Sequence, residues 1–317
     1  MEKRDIENEL KELQNKLDTL KQDVQGDEKK AILPIINQLE ESALSLKTEL
    51  YRKITPIERV QLARNPNRPT TLDYIKYLIK DFVQFHGDRR FMDDEAIVGG
   101  VGFFEKIPVT VIGHQKGRDV KDNIKRHFGM PHPEGYRKAL RLMQQAEKFH
   151  RPIINFIDTP GAYPGLGAEE RGQGEAIANN LYEMSSLRTP IISIVTGEGG
   201  SGGALALGVA DRVFMLANTI YSVISPEGCA SILWRDSSKS GEAAEALKID
   251  ANNCLMMGAI DDIIEEPHGG ANEDHLKVAA NMREKIRIAL EELSQYSIDA
   301  LLEQRYNKFR KIGQFKE

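Results

Sequence analysis

Apolar positions step by three and four along the first fifty residues. Ile6, Leu10, Leu13, Leu17, Leu20 and Val24 make one series; Ile32, Ile36, Leu39, Ala43, Leu46 and Leu50 make a second. Gly26-Asp27 stands between them, and Lys, Glu and Asp fill the other faces. The spacing predicts an αα-hairpin over 1–54 with coiled-coil-like seams. A lone hairpin buries little, so it suits either a packed, solvated pair or an arm that contacts a subunit. Thr55-Pro56-Ile57-Glu58 is a helix start, with a cap residue, Pro in the first turn and an acid at the third position. That helix stops at Asn65-Pro66-Asn67-Arg68-Pro69. The next is expected from Thr71, with Tyr74, Ile75, Leu78, Ile79 and Phe82 on one face, closing at 85–90.

From Ala96 the period changes to short apolar runs. Strands are expected at 96–104 and 107–114, joined at Glu105-Lys106, then at 153–158, 191–195, 212–216, 219–225 and 261–264. Helical patterns fall between and after them: 133–150, 169–188, 204–210, 226–234, 243–247, 251–257 and two over 273–311. Strand–helix alternation predicts an α/β domain over 55–317 whose sheet is covered by helices. The alternation fits a doubly wound sheet and a spiral of ββα units equally well.

Two loops stand out. Gly197-Glu198-Gly199-Gly200-Ser201-Gly202-Gly203 lies between an apolar strand and a run of small residues, reading as a strand, a glycine turn and a helix start. Glycine lets a ligand approach the backbone, and a helix start presents unpaired N–H groups that can hold an oxyanion. The plain alternative is a turn needed only for packing. The second loop, Thr159-Pro160-Gly161-Ala162-Tyr163-Pro164-Gly165-Leu166-Gly167, follows the 153–158 strand at the end where α/β proteins place ligands. A basic segment carrying Lys116, Arg118, Lys121, Lys125 and Arg126 reads either as a solvated loop or as a contact for phosphates.

The side-chain catalysts of familiar hydrolases are missing. There is no HExxH, no Gly-Lys-Ser/Thr phosphate loop and no convincing nucleophile elbow, and Ser201 has no His near it in sequence. Asp158, Glu169, Glu170, Glu198 and Glu227 could act as acids or bases, but each has a cap or ion-pair explanation. His86 reads as a structural hydrogen-bonding residue. The chain has 317 residues, two cysteines and a formal net charge of −5. That balance argues against a nucleic-acid surface. Cys229 and Cys254 cannot build a zinc ribbon alone and read as buried thiols of a cytoplasmic protein. No apolar run is long enough to span a membrane.

Asp158–Gly165, Gly167–Gln173, Gly197–Ala204 and Tyr221–Trp234 together resemble the carboxyltransferase alpha subunits of bacterial-type acetyl-CoA carboxylase. The similarity extends through 55–150, including Arg68-Pro69-Thr70-Thr71 and Gly117-Arg118-Asp119. The resemblance implies a crotonase-type spiral of ββα units with an N-terminal helical hairpin and C-terminal helices. It implies transfer of a carboxyl group from carboxybiotin, borne on a separate carrier protein, to acetyl-CoA, giving malonyl-CoA for fatty acid synthesis. The implied partners are a zinc-ribbon-bearing beta subunit in an α2β2 assembly, the biotin carboxyl carrier protein and biotin carboxylase, with no metal in this chain. Backbone at Gly202 and Gly203 would form the oxyanion hole for biotin. Gly161, Ala162, Tyr163, Pro164, Gly165, Gly199, Gly200 and Ser201 would shape its pocket, and the basic segment could meet the CoA phosphates. A single-chain acyl-CoA hydratase or hydrolase and a non-catalytic CoA- or partner-binding scaffold are the alternatives.

Overall fold

The computed structural model describes residues 3–23, 28–51 and 54–313. The chain divides into two compact units, Met1–Thr55 and Pro56–Glu317. The first holds helices α1 (Lys3–Asp23) and α2 (Glu28–Tyr51). Of the predicted seam, Leu17, Ile36 and Ala43 are buried, while Leu20, Leu39 and Leu46 are exposed. The apolar series therefore overstates what two helices can cover. Val24 and the break at Gly26-Asp27 lie outside the described residues.

The second unit opens with α3 (Pro56–Ala63) and α4 (Thr71–Leu78). Helix α4 starts from a reciprocal cap in which Asp73 accepts hydrogen bonds from the backbone N–H and the hydroxyl of Thr70. The predicted helical face continues to Phe82, but the chain does not. Residues Ile79–Gln84 form strand β1, paired antiparallel with β2 (Ile97–Phe104). Only Ile79 is buried in it; the other positions are half-covered or exposed, as on a sheet edge, and the pairing shifts register between Lys80 and Val83. Strand β3 (Ile107–His114) pairs antiparallel with β2 through a two-residue turn in which Glu105 is left-handed.

Beyond β3 lie α5 (Val120–Lys125), α6 (Pro133–Lys148), β4 (Ile153–Thr159), α7 (Leu166–Glu170) and α8 (Gln173–Ser186). The single helix expected over 169–188 is broken at Gly172, which is left-handed with φ +84°. Then come β5 (Ile191–Gly200), α9 (Ser201–Leu205), β6 (Arg212–Leu216), β7 (Ile220–Ser222) and α10 (Pro226–Trp234). The chain continues through α11 (Ser240–Leu247), α12 (Ala251–Met256), β8 (Asp262–Ile264), α13 (His275–Leu293) and α14 (Ile298–Arg310).

The eight strands form one sheet in the order β1-β2-β3-β4-β5-β6-β8, with β7 paired to β5 off that path. Pairings from β3 to β8 are parallel. Adjacent strand residues point to opposite faces, so β4 and β5 divide their side chains between two cores. Ile154, Phe156, Ile192 and Ile194 pack with α4 and α13. Ile153, Ile157, Ile191 and Val195 pack with α6, α8 and α12. Near-continuous burial of these strands is the signature of a parallel sheet covered on both sides.

Candidate active site

The glycine stretch departs from its sequence reading in one respect. Strand β5 does not stop at Val195 for a glycine turn; it runs to Gly200, and α9 begins at Ser201 without an intervening loop. Two neighbours hold the extension: Gly199 pairs with Thr159 of β4, and Glu198, Gly199 and Gly200 pair with Ile220, Tyr221 and Ser222 of β7. Ser201, at the junction, is left-handed (φ +49°) and exposed. The expected helix at 204–210 shortens to Ser201–Leu205, although Ala204, Ala206, Leu207 and Ala210 are buried as small residues should be.

The glycines are required by contact with the second loop. A β-carbon at Gly200 would lie 2.2 Å from the Pro160 carbonyl oxygen. One at Gly203 would lie 2.7 Å from both Ala162 N and the Gly161 carbonyl carbon, and 3.0 Å from Tyr136 Oη. Such distances are shorter than real side chains tolerate, so only glycine lets the loops close together. Gly161 and Gly202 behave differently. A β-carbon at Gly161 (φ +150°) would meet nothing within 4 Å, and one at Gly202 nothing nearer than 3.6 Å. The two loops thus touch at Gly200 and Gly203 and open at Gly161 and Gly202. As the first residues of a helix, Gly202 and Gly203 have N–H groups with no acceptor four residues back inside α9.

The 159–165 loop is braced from within. The Thr159 hydroxyl donates to the Gly161 carbonyl and accepts from the Gly161 N–H. Gln173 donates to the carbonyls of Tyr163 and Pro131, and the Tyr163 N–H donates to Pro131 as well. The Tyr163 ring stacks on His132, with centroids 4.1 Å apart, and would obstruct any side chain at Gly165. Gly199 instead abuts Tyr221.

Behind the loops lies a charged chain that the sequence could not reveal, because its members come from five separate segments. Lys116 Nζ is 2.7 Å from Asp158 and 3.0 Å from Glu198. Arg64 pairs with Glu198 and Glu227, each at 2.7 Å. Asp158 also accepts the Glu198 N–H, and a β-carbon at Gly197 would collide with its carboxylate. Burial disfavours the Glu198 charge, yet Lys116 and Arg64 outweigh it and hold the carboxyl below its ordinary value. For Lys116 burial is likewise outweighed, by Asp158 and Glu198, and its pKa is raised. Nearby, Arg68 donates to the Thr196 carbonyl and pairs with Glu266.

The basic segment is largely self-neutralised. Arg118 pairs with Asp73, Lys125 with Glu95 at 2.7 Å, and Arg126 with Asp122 at 2.8 Å, while Lys121 is exposed. The structure brings Lys116 to the rear of the glycine loops and leaves the other four around α5. Glu169 and Glu170 are exposed on α7, and His86 is exposed and bonded to Asp93. Both cysteines are buried and free. Two buried groups at the site escaped the sequence reading. Tyr136 is fully buried beside Gly203 and its hydroxyl has no hydrogen-bond partner among the described residues. His114, fully buried at the end of β3, makes no well-formed hydrogen bond at either ring nitrogen among the described residues. Burial pushes its pKa down to about 3 against the backbone of Gly203 and Phe156, so it stands neutral.

Comparisons with known proteins agree on one family. A family model described as acetyl co-enzyme A carboxylase carboxyltransferase-like matches residues 3–313. The chain is 55% identical over 311 residues to an acetyl-coenzyme A carboxylase carboxyl transferase subunit alpha of Geobacillus sp. (strain WCH70), covering 98% of this chain and 95% of that protein. It is 58% identical over 278 residues to the protein of the same description from Listeria monocytogenes serotype 4b (strain CLIP80459), covering 88% and 87%. Among solved structures, transcarboxylase 12S superposes with a TM-score of 0.59 at 20% identity, over 77% of this chain and 44% of that one. The beta subunit of geranyl-CoA carboxylase from P. aeruginosa gives a TM-score of 0.56 at 16% identity, over 80% and 46%. The chain thus spans less than half the length of those two structures, and the likeness establishes the crotonase-type fold alone. With a family model matched along nearly its whole length and relatives more than half identical, the chain belongs to the acetyl-CoA carboxylase carboxyltransferase alpha-subunit family.

Proposed function

We propose that this chain supplies the biotin half of a two-chain carboxyltransferase site, with a beta subunit supplying the acetyl-CoA half. The observation that carries the proposal is the pairing of the two glycine loops: contact at Gly200 and Gly203, free space at Gly161 and Gly202. The carboxyl donor enters as a substrate, carboxybiotin on a separate carrier protein, and supplies the carbon dioxide that the acetyl-CoA enolate captures to give malonyl-CoA. The donor's ureido oxygen gains negative charge as the carboxyl group leaves, and the biotin so freed takes the proton that acetyl-CoA loses in forming its enolate. The N–H groups of Gly202 and Gly203 are suited to hold that oxygen, and a rigid donor pair adds stabilisation without reorganising. The 159–165 loop forms the adjoining wall, and its internal hydrogen bonds keep it in place before any substrate arrives.

The side chains near the loops support a backbone mechanism. Asp158 and Glu198 are engaged by Lys116 and Arg64, so neither stands ready as a general base. Lys116 is neutralised by two carboxylates, which leaves it poorly suited to a CoA phosphate. The relatives' description as a subunit alpha supports a beta-subunit partner, and the carrier protein, biotin carboxylase and a cytoplasmic location are part of the same proposal. Among the described residues, no helix is long and apolar enough to cross a membrane.

The test is reconstitution. The full chain mixed with a candidate beta subunit should decarboxylate malonyl-CoA with free biotin as acceptor, and neither chain should do so alone. A well-formed complex without activity would overturn the proposal. Acyl-CoA hydration or hydrolysis by the isolated chain would favour the single-chain alternative.

A further inference from the structure

Asp94, His127 and His132 converge from the approach to β2 and from the segment between α5 and α6. Their potential ligand atoms lie within 4.8 Å of one another. His127 Nδ1 is 3.4 Å from one Asp94 carboxylate oxygen, and His132 Nδ1 is 4.0 Å from the other. Both Nδ1 atoms are buried and neither makes a well-formed hydrogen bond. A buried polar atom left this way costs about 1–3 kcal/mol, so two at one point ask for a shared partner. Donors bound tetrahedrally at about 2.0–2.2 Å stand roughly 3.3–3.6 Å apart. The His127–Asp94 pair has that separation, and the His132–Asp94 pair exceeds it by a few tenths of an ångström.

The carboxylate is held for such a role. Asp94 is 3% exposed, accepts the Ala96 N–H at 2.9 Å and the His132 N–H at 2.6 Å, and its own carbonyl accepts from Lys138. Outer hydrogen bonds of this kind orient a metal ligand. A β-carbon at Gly135 would lie 2.8 Å from the same carboxylate, so the glycine there leaves it room. On the other side the chain runs left-handed through three successive residues, His127, Phe128 and Gly129, with φ of +49°, +55° and +76°. For the two that are not glycine this is a costly conformation.

We propose that Asp94, His127 and His132 form a binding site for one divalent first-row transition ion, zinc being the best match. Two imidazole nitrogens and one carboxylate suit such an ion and do not suit magnesium or calcium, which take oxygen donors. This departs from the expectation of a metal-free chain, and it does not rest on the proposed function. The ion would pin the 127–132 segment to the approach to β2. Because Tyr163 stacks on His132, it would also steady one wall of the glycine-loop pocket.

The test uses the full chain, stripped with chelator and titrated with Zn2+ alone by calorimetry, and with Co2+ alone followed by its visible spectrum. The expected result is one equivalent bound. His127→Asn and His132→Asn should each weaken binding by at least the roughly 10–100-fold that even an outer group costs. His150→Asn, at an exposed position, should leave binding unchanged. Asparagine accepts left-handed backbone, so the His127 variant should fold at least as well as the parent and separate lost ligation from lost structure. No saturable binding, or one equivalent retained in the doubly substituted chain, would overturn the proposal.

Discussion

Gly202 and Gly203 are neighbours in sequence with opposite tolerances. Gly203→Val would drive its side chain into Gly161 and Ala162 and displace the loop that faces the opening. In the reconstituted complex its turnover should fall about 100- to 1000-fold, as when one oxyanion donor no longer points at its target, because the forced-apart loops misplace the N–H that the valine keeps. Gly202→Ala meets nothing nearer than 3.6 Å, keeps its N–H and should fold as stably as the parent or up to about 1 kcal/mol better. Equal loss of stability in both variants, read by chemical denaturation, would contradict this account of the contact. His114 gives the pH dependence a sign. Its folded-state pKa is pushed down to about 3, so the unfolded chain binds the extra proton once the pH falls below the ordinary histidine value near 6.5. The stabilisation from keeping it neutral is present above that value and lost as the pH falls toward 3. Between pH 7 and 5.5 the loss should be about 1 kcal/mol, and His114→Gln should remove that part of the slope. The glycines could be recognised as candidates because their types and spacing are unusual. His114 could not, because nothing adjacent to it in sequence predicts complete burial.

At the level of elements, most strands and helices were legible because apolar period follows burial. Two exceptions share a cause, a tertiary contact that overrides a local tendency. Ile79–Gln84 extends the apolar face of α4 at helical spacing, but pairing with β2 makes it an edge strand. Gly197–Gly200 reads as a turn because glycine weakens strands, but partners on both sides outweigh that preference. Helix 169–188 differs, since one left-handed glycine within it supplies the break locally. The charged chain behind the loops was illegible for a related reason: Arg64 and Glu198 are 134 residues apart. Lys116→Met tests its weight. Asp158 and Glu198, whose side chains are each 10% exposed, would lose their shared cation, and the chain should be destabilised by about 3 kcal/mol. A shift below about 0.5 kcal/mol would mean that water replaces the lysine without cost.

For the whole molecule, apolar packing closes both faces of the sheet, α4 and α13 on one and α6, α8 and α12 on the other. Helix α14 adds Leu301 to the first of these cores and is also held through two cations, Lys308, which pairs with Asp261, and Arg305. Arg305 is 1% exposed, pairs with Asp211 and donates to the carbonyls of Met184, Leu187 and Thr189. Arg305→Met should cost about 3–5 kcal/mol, because it strands the Asp211 carboxylate in a dry site. Adding Asp211→Asn in the same chain should recover part of that loss, and a purely additive pair would refute the coupling. The distance along the chain between these partners bears on biosynthesis. Asp211 leaves the ribosome 94 residues before Arg305. At roughly 5–20 residues per second, a carboxylate destined for the interior waits about 5–20 s for its cation. Throughout that interval β6 cannot settle against its neighbours at full stability, so a nascent chain arrested before α14 is a natural substrate for chaperones and proteases.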